Sequence, residues 1–253
     1  MPFTLTLDPV LLHLGPISIR YYGIAYALGF LFAWWWLKRA IKIGTLKLTD
    51  KQVEDLIFWL MIGVVAGARL GHVLFWNFPY FLANPLKIFA VWEGGMAFHG
   101  GLIGALLAGW RYCRKQKLNF LRLADVLIIP ATFALALGRV ANFINGELYG
   151  PITNVPWCVN FPGVEGCRHP YQLYAAFARA AIGCLLILFS QRKHRDGTIL
   201  WLFLLLESIT RFSLDFLRED ARWFSLSTGQ YLSIAVFAFA IWQLRPLFSQ
   251  KTI

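Results

Sequence analysis

Seven mostly apolar runs, each near the roughly 20 residues needed to cross a bilayer core, constrain this chain more than any other feature. They lie near Ile17 to Leu37, Val53 to Phe75, Met96 to Tyr112, Ala124 to Phe143, Tyr171 to Phe189, Ile199 to Leu217 and Gln230 to Trp242. The third and seventh are short, and Ile88 to Gly95 reads as a re-entrant or interfacial stretch. Only helices and closed barrels satisfy their backbone in lipid, and runs of this length favour helices. The expected fold is therefore all-α, a polytopic integral membrane protein with about seven transmembrane helices. Composition agrees, with 58% hydrophobic residues, 15% charged residues and a mean hydropathy of +0.57. The 11 Trp and 22 Phe suit headgroup-level belts and acyl-facing surfaces. Residues 1–253 are read as a single transmembrane domain. No basic n-region precedes the first run, whose first cation is Arg20, so this span is expected to remain in the mature protein.

A formal net charge of +11 raises nucleic acid as a partner, and the placement of the cations argues against it. Counted on alternate sides of seven spans, one side carries Lys38, Arg39, Lys42, Lys47, Lys51, Arg111, Arg114, Lys115, Lys117, Arg122, Arg192, Lys193, Arg195, Arg245 and Lys251. The other carries Lys87, Arg168, Arg218 and Arg222. By the positive-inside rule the first side is cytoplasmic. The N-terminus is then periplasmic, the C-terminus cytoplasmic, and residues 144–170 form a periplasmic loop within the domain.

Five arginines escape that count. Arg20 sits at the edge of a span and can snorkel, but Arg69, Arg139, Arg179 and Arg211 lie within apolar runs. Each costs roughly 2.5 to 3.5 kcal/mol on insertion scales, so something must compensate. Taken singly, Arg69 and Arg179 read as packing groups paired with carboxylates or carbonyls. A guanidinium in a polar cavity also matches phosphate oxygens with its planar fork.

Two stretches favour an anion site. One, Gly94-Gly95-Met96-Ala97-Phe98-His99-Gly100-Gly101-Leu102-Ile103-Gly104, sets a His among glycines at a span entry, a pattern that equally serves close helix packing. The other runs from Gly138 to Gly150 as GRVANFINGELYG. Arg139 and Asn142, at i and i+3, share a helix face, and Gly146 is expected to end the helix so that Glu147 folds back beside them. An Arg, two Asn and a Glu within nine residues at a membrane boundary read as a site.

These two stretches resemble the signature segments of the prolipoprotein diacylglyceryl transferase family. The likeness continues in order through Asp8-Pro9, Arg20-Tyr21-Tyr22-Gly23, Gly67-Ala68-Arg69-Leu70-Gly71, Ala124-Asp125, the stretch His169 to Tyr174, and Arg211-Phe212 through Glu219. The resemblance implies an enzyme of the bacterial inner membrane. Its reaction moves the diacylglyceryl group of phosphatidylglycerol onto the lipobox cysteine thiol of a preprolipoprotein, forming a thioether and releasing glycerol phosphate.

The residues suit that chemistry. The substrate brings the nucleophile, so the protein must take up a thiol proton and stabilise charge on a phosphate leaving group. His99 is the expected proton acceptor or, failing that, a headgroup ligand. Arg139 and Arg211 are the expected phosphate clamp, and Tyr22, Asn142, Asn145, Glu147, Gly150 and Asp215 complete the phosphatidylglycerol site. No cofactor is required, because the ester carries its own leaving group. No metal is expected, because His13, His72, His99, His169 and His194 show no ligand spacing. Three positions depart from the family pattern: Ala175 replaces the usual Glu, Glu207 the usual Tyr, and Asp215 the usual Glu. On this reading a Tyr at 207 preserves or raises activity, while Glu207, Arg211 and Asp215 form an alternating-sign stripe along one helix. A lipid translocator or secondary transporter is the competing class, since intramembrane arginines also mark transport paths.

Cys158 and Cys167 fall in the loop expected outside, where oxidation is permitted, and are expected to form a disulfide near the site. Cys113 and Cys184 are expected to stay reduced.

Overall fold

The computed structural model describes residues 3–14 and 17–248. The chain is mostly helical. Its elements in order are strands β1 (Phe3–Thr4), β2 (Val10–Leu14) and β3 (Ile17–Arg20), helices α1 (Tyr21–Lys42), α2 (Asp50–Phe75), α3 (Phe78–Ala83), α4 (Phe98–Gln116) and α5 (Phe120–Ile144), strand β4 (Val159–Asn160), helices α6 (Tyr171–Ser190) and α7 (Thr198–Leu214), strands β5 (Arg222–Trp223) and β6 (Leu226–Ser227), and helix α8 (Thr228–Phe248). Every apolar run of the sequence overlaps a helix. Three of them, α2, α5 and α6, are each long and apolar enough to cross a membrane.

The two runs that read as short belong to longer helices. α4 continues through the basic segment Arg111 to Gln116, and α8 starts at Thr228 and runs past Arg245. Long cationic side chains carry a helix beyond the hydrocarbon edge without leaving the helical pattern. The first run differs the other way. Ile17, Ser18, Ile19 and Arg20 alternate with period two and pair antiparallel with Val10 to Leu14, so helix α1 starts only at Tyr21. The stretch Ile88 to Gly95 is no span; it holds two short 3-10 turns, Pro85–Phe89 and Val91–Glu93.

The chain forms two compact units. One comprises residues 33–123. Its axis is the pairing of α2 with α4 through a glycine seam: a Cβ placed on Gly104 would lie 1.9 Å from the Gly63 carbonyl oxygen, and one on Gly67 would lie 2.4 Å from that of Gly100. Small residues one turn apart let two helix backbones approach where no hydrophobic effect drives association. α2 starts with a capping box in which the Thr49 hydroxyl accepts from the Gln52 amide at 3.3 Å and the Gln52 side chain accepts from the Thr49 amide at 2.8 Å. Buried Arg69 holds the turns that follow α3, donating to the carbonyls of Ile88 (2.9 Å), Lys87 (2.6 Å), Gly95 (3.1 Å), Ala90 (3.2 Å) and Gly94. Its guanidinium is thereby committed to the backbone.

The other unit comprises residues 1–32 and 124–253. Here α1 meets α5 closely, with Phe32 edge-on to Phe133 at 5.6 Å and room at Gly29 only for a hydrogen, since an added Cβ would lie 2.7 Å from that of Ala134. Arg179 on α6 pairs with Glu207 on α7 and donates to the Ala175 carbonyl at 3.2 Å. Asp125 at the start of α5 accepts from the amides of Gly197 (2.7 Å) and Leu200 (2.8 Å), supplying the first turn of α7 with the acceptors it lacks. The segment after α5 is a small folded layer. β1 lies parallel to β4, Val159 bridges to Arg168, Ile152 bridges to Arg168, and a disulfide joins Cys158 to Cys167 with Cα atoms 5.5 Å apart. Leu5, Val159 and Phe161 form its buried core beside Phe143 and Tyr149. Cys113 and Cys184 are free thiols.

Candidate active site

Helix α5 carries Arg139 and Asn142 one turn apart and ends two residues before Gly146, whose φ of 66° is the left-handed conformation that reverses the chain. The Glu147 amide then donates back to the Asn142 carbonyl at 3.1 Å, which returns the Glu147 carboxylate to the same helix face. There its Oε1 accepts from the Tyr22 hydroxyl at 2.7 Å and from Asn142 Nδ2 at 2.9 Å, with Asn145 Nδ2 at 3.5 Å. Asn142 Nδ2 also meets the Tyr22 oxygen. The Gln172 side chain holds the Glu147 carbonyl at 2.7 Å. The turn read from Gly146 is present, and it brings Tyr22, from the second position of α1, into one hydrogen-bonded group with Asn142, Asn145 and Glu147.

Arg139 borders this group. Its Nη1 lies 3.5 Å from Asn142 Oδ1, a long contact, and no carboxylate pairs with it among the described residues. It lies within electrostatic reach of Arg179, Tyr171, Arg218 and Arg211. A guanidinium offers five N–H donors, so most of those on Arg139 remain available to a ligand. Several like charges gathered near one another in a low-dielectric region repel, and an anion between them relieves that repulsion.

Arg211 has a different environment from the one the helical spacing implied. Glu207 is turned away to Arg179, and Asp215 is wholly buried, its Oδ1 accepting from Tyr171 at 2.9 Å and its Oδ2 from Ser227 at 3.2 Å. Arg211 Nε stands 3.8 Å from Asp215 Oδ2, within ion-pair range but beyond a hydrogen bond. Of the alternating stripe, the step from Arg211 to Asp215 is kept as an ion pair, while Glu207 pairs with Arg179 instead. The stripe's carboxylates are otherwise taken by α6, the Tyr171 hydroxyl and the segment before α8, which leaves the Arg211 fork largely unspent.

Gly150 is buried where a side chain cannot enter: a Cβ would lie 2.4 Å from the Leu217 carbonyl oxygen and 2.7 Å from the His169 Cβ, and its amide donates to the His169 carbonyl at 2.9 Å. It thus ties the α5 turn to the start of α6. His99 belongs to the unit of residues 33–123, where it is the second residue of α4, exposed, with its ring edge-on to Phe98 at 5.6 Å. No hydrogen bond holds its imidazole among the described residues, so both ring nitrogens are open to a substrate.

Sequence reasoning passed over Tyr171, Gln172, Ser227 and Gly229. Ser227 and Gln230 form a capping box at the start of α8, with bonds of 2.8 and 3.1 Å, and the Ser-x-x-Gln spacing could have announced it. A Cβ at Gly229 would lie 2.4 Å from Asp215 Oδ2 and 3.0 Å from Arg211 Nη2, so this glycine leaves space for the pair. Tyr171 lies in the quoted His169 to Tyr174 stretch, but its bond to Asp215 spans 44 positions and has no local signature.

Taken together, the arrangement offers a set of guanidinium donors beside neutral amide and phenol groups, suited to an anionic polar headgroup. Comparison with known proteins bears on which one. The family model described as prolipoprotein diacylglyceryl transferase matches residues 9–245. A phosphatidylglycerol--prolipoprotein diacylglyceryl transferase of Geobacter sulfurreducens is 45% identical over 238 residues, covering 91% of this chain and 92% of that protein. Proteins of the same name from Photobacterium profundum and Pasteurella multocida are 43% and 45% identical, covering 92% and 90% of this chain and 91% and 85% of their own lengths. The chain belongs to the prolipoprotein diacylglyceryl transferase family.

Proposed function

We propose that this chain is a transferase that moves the diacylglyceryl group of phosphatidylglycerol onto a cysteine thiol of prolipoproteins, the first step of lipoprotein maturation. The observation that carries the reading is the pair Arg139 and Arg211, two intramembrane guanidinia with donors left unspent, beside the Tyr22, Asn142 and Glu147 group. The thiolate sulfur attacks the glycerol carbon that bears the phosphate ester. The carbon–oxygen bond breaks with its electron pair on oxygen, and glycerol phosphate leaves. Arg139 and Arg211 neutralise the charge that gathers on the departing phosphate, which is where preorganised donors accelerate such a reaction. His99 takes the thiol proton, as an imidazole can near neutral pH. Tyr22, Asn142, Asn145 and Glu147 orient the glycerol headgroup, with Gly150 and Asp215 holding the loop and the Arg211 side chain in place.

The full chain acts as one transmembrane domain of seven spans in the bacterial inner membrane, with a periplasmic N-terminus, a cytoplasmic C-terminus and residues 144–170 on the periplasmic side. The cation distribution supports that orientation. The Cys158 to Cys167 disulfide within that loop is what an oxidising compartment permits. The acceptor is the lipobox cysteine of a preprolipoprotein, no nucleic acid takes part, and neither metal nor cofactor is required.

The test incubates purified protein with labelled phosphatidylglycerol and a lipobox peptide. Label on the peptide thiol with release of glycerol phosphate supports the transferase. Movement of lipid between leaflets without transfer would favour a translocator instead.

A further inference from the structure

Helix α6 touches α5 on one side and α7 on the other, and the contacts set what surrounds the anion site. Toward α5, a Cβ added at Gly183 would lie 2.6 Å from the Phe133 ring, and the Gln172 side chain holds the Glu147 carbonyl at 2.7 Å just past the end of α5. The two helices are thus antiparallel neighbours that touch at both ends of this stretch, which sets Arg179 level with Arg139 to within about one turn. The charge of Arg179 reaches Arg139. Toward α7, Tyr171 bonds Asp215 at 2.9 Å, and Arg179, two turns on, pairs with Glu207. That register places wholly buried Ala175 level with Arg211.

Arg179 is therefore a buried guanidinium beside the phosphate clamp that takes no part in it. Glu207 and the Ala175 carbonyl, at 3.2 Å, hold it. Glu207 Oε2 is buried and makes no hydrogen bond among the described residues, so this carboxylate serves Arg179 alone. The site meets two anions of unequal charge. The phosphodiester of phosphatidylglycerol is a monoanion, whereas the glycerol phosphate that leaves is a monoester of roughly −1.5 to −2 at neutral pH. Each added positive charge strengthens the hold on the product more than the hold on the substrate. Across packed helices about 10 Å apart, at an effective dielectric of about 20, one unit charge changes affinity for a monoanion about ten-fold.

We propose that Glu207 is a positioning residue that sets the specificity of the anion site: by neutralising Arg179 it limits the net positive charge around Arg139 and Arg211, so that phosphatidylglycerol is held and glycerol phosphate is released. Glu207 touches neither anion and acts through Arg179. This rests on the transferase reading, which supplies both anions.

The test uses the full chain in phosphatidylcholine nanodiscs doped with phosphatidylglycerol. It measures the lipid KM, the inhibition constant of added glycerol phosphate and, by calorimetry, the binding of glycerol phosphate itself. Glu207→Gln keeps an acceptor for Arg179 and removes the charge. It is expected to lower the lipid KM about ten-fold and the inhibition constant by more, with kcat falling as product lingers. Arg179→Gln is expected to raise both constants, again the second by more, whereas Arg179→Lys keeps the charge and leaves both within about two-fold of wild type. Ala175→Glu disturbs neither partner and adds a carboxylate level with Arg211. It is expected to act in the direction of Arg179→Gln, and it decides the matter should either glutamine variant fail to fold. Equal factors on the two constants, shifts of one sign in both glutamine variants, or no shift at all overturn the inference and leave the pair a packing contact. Wild-type protein that binds glycerol phosphate but never labels a lipobox thiol would instead overturn the transferase reading.

Discussion

Replacing Arg211 by Lys keeps the charge and removes the fork, and the structure separates what this does to stability from what it does to catalysis. Among the described residues the ion-pair partner of Arg211 is Asp215, 3.8 Å from Nε with the Arg211 side chain 35% exposed. Lysine keeps a positive charge on the same side of wholly buried Asp215, which also retains its bonds from Tyr171 and Ser227 after the change. Arg211→Lys is therefore expected to insert, fold and melt close to wild type. The chemistry responds differently. A lysine offers one point charge and cannot grip two phosphate oxygens in a plane. Loss of one preorganised donor from a developing oxyanion costs about 100- to 1,000-fold in kcat. The assay is single-turnover transfer to a lipobox peptide in nanodiscs, with thermal unfolding followed on the same sample. A fall of about 100-fold with little change in unfolding temperature is expected. Full activity in Arg211→Lys refutes the clamp and leaves Arg211 a structural residue, whereas lost activity with lost folding would place its role in packing.

Other outcomes follow from single contacts. His99→Gln is expected to fold and insert yet lose most transfer, because the exposed imidazole makes no hydrogen bond among the described residues; near-normal turnover in a well-expressed variant removes it from the mechanism. Glu207→Tyr is expected to destabilise by about 3 to 5 kcal/mol, because it strands Arg179 without its buried counter-ion, and adding Ala175→Glu, one turn before Arg179, should recover part of the loss in unfolding assays. Gly104→Leu should separate α2 from α4, since its Cβ has no space against the Gly63 carbonyl, and is expected to cut the yield of folded protein steeply in detergent extracts.

The Glu207 prediction adds a stability cost to the expectation of preserved activity drawn from family likeness alone. Tyr is the usual residue there, and a return to Tyr looks harmless until the neighbouring helix is seen. The family's usual Glu at position 175 would lie one helical turn before Arg179, whereas in this chain the counter-ion comes across from α7. The two departures, Ala175 and Glu207, thus become one exchange: a carboxylate lost on α6 and regained on α7, with Arg179 between them.

Much of the architecture is local and could be read directly. Apolar runs of bilayer length, the reversal at Gly146, and the shared face of Arg139 and Asn142 depend on residues within a few positions of one another, where period and turn chemistry act. Even so, strand β3 falls inside the first apolar run, because a short alternating segment next to a long apolar one keeps no separate signal in a hydropathy average. The partners of the charged groups were out of reach in principle. Arg69 could have met a carboxylate or a carbonyl, and only the path of the chain after α3 puts five carbonyls around it. Helical spacing set Glu207, Arg211 and Asp215 in a line, yet Glu207 and Asp215 reach past their own helix to Arg179, Tyr171 and Ser227, and which neighbour waits there depends on packing between elements apart in sequence. The sequence by itself determined that arginines would lie within apolar runs and need compensation, since composition and period are properties of the chain alone. Only the tertiary structure decided which of them are spent on the protein and which keep donors for a ligand, because hydrogen bonds are short-ranged and directional and form only between groups that the fold brings within about 3 Å.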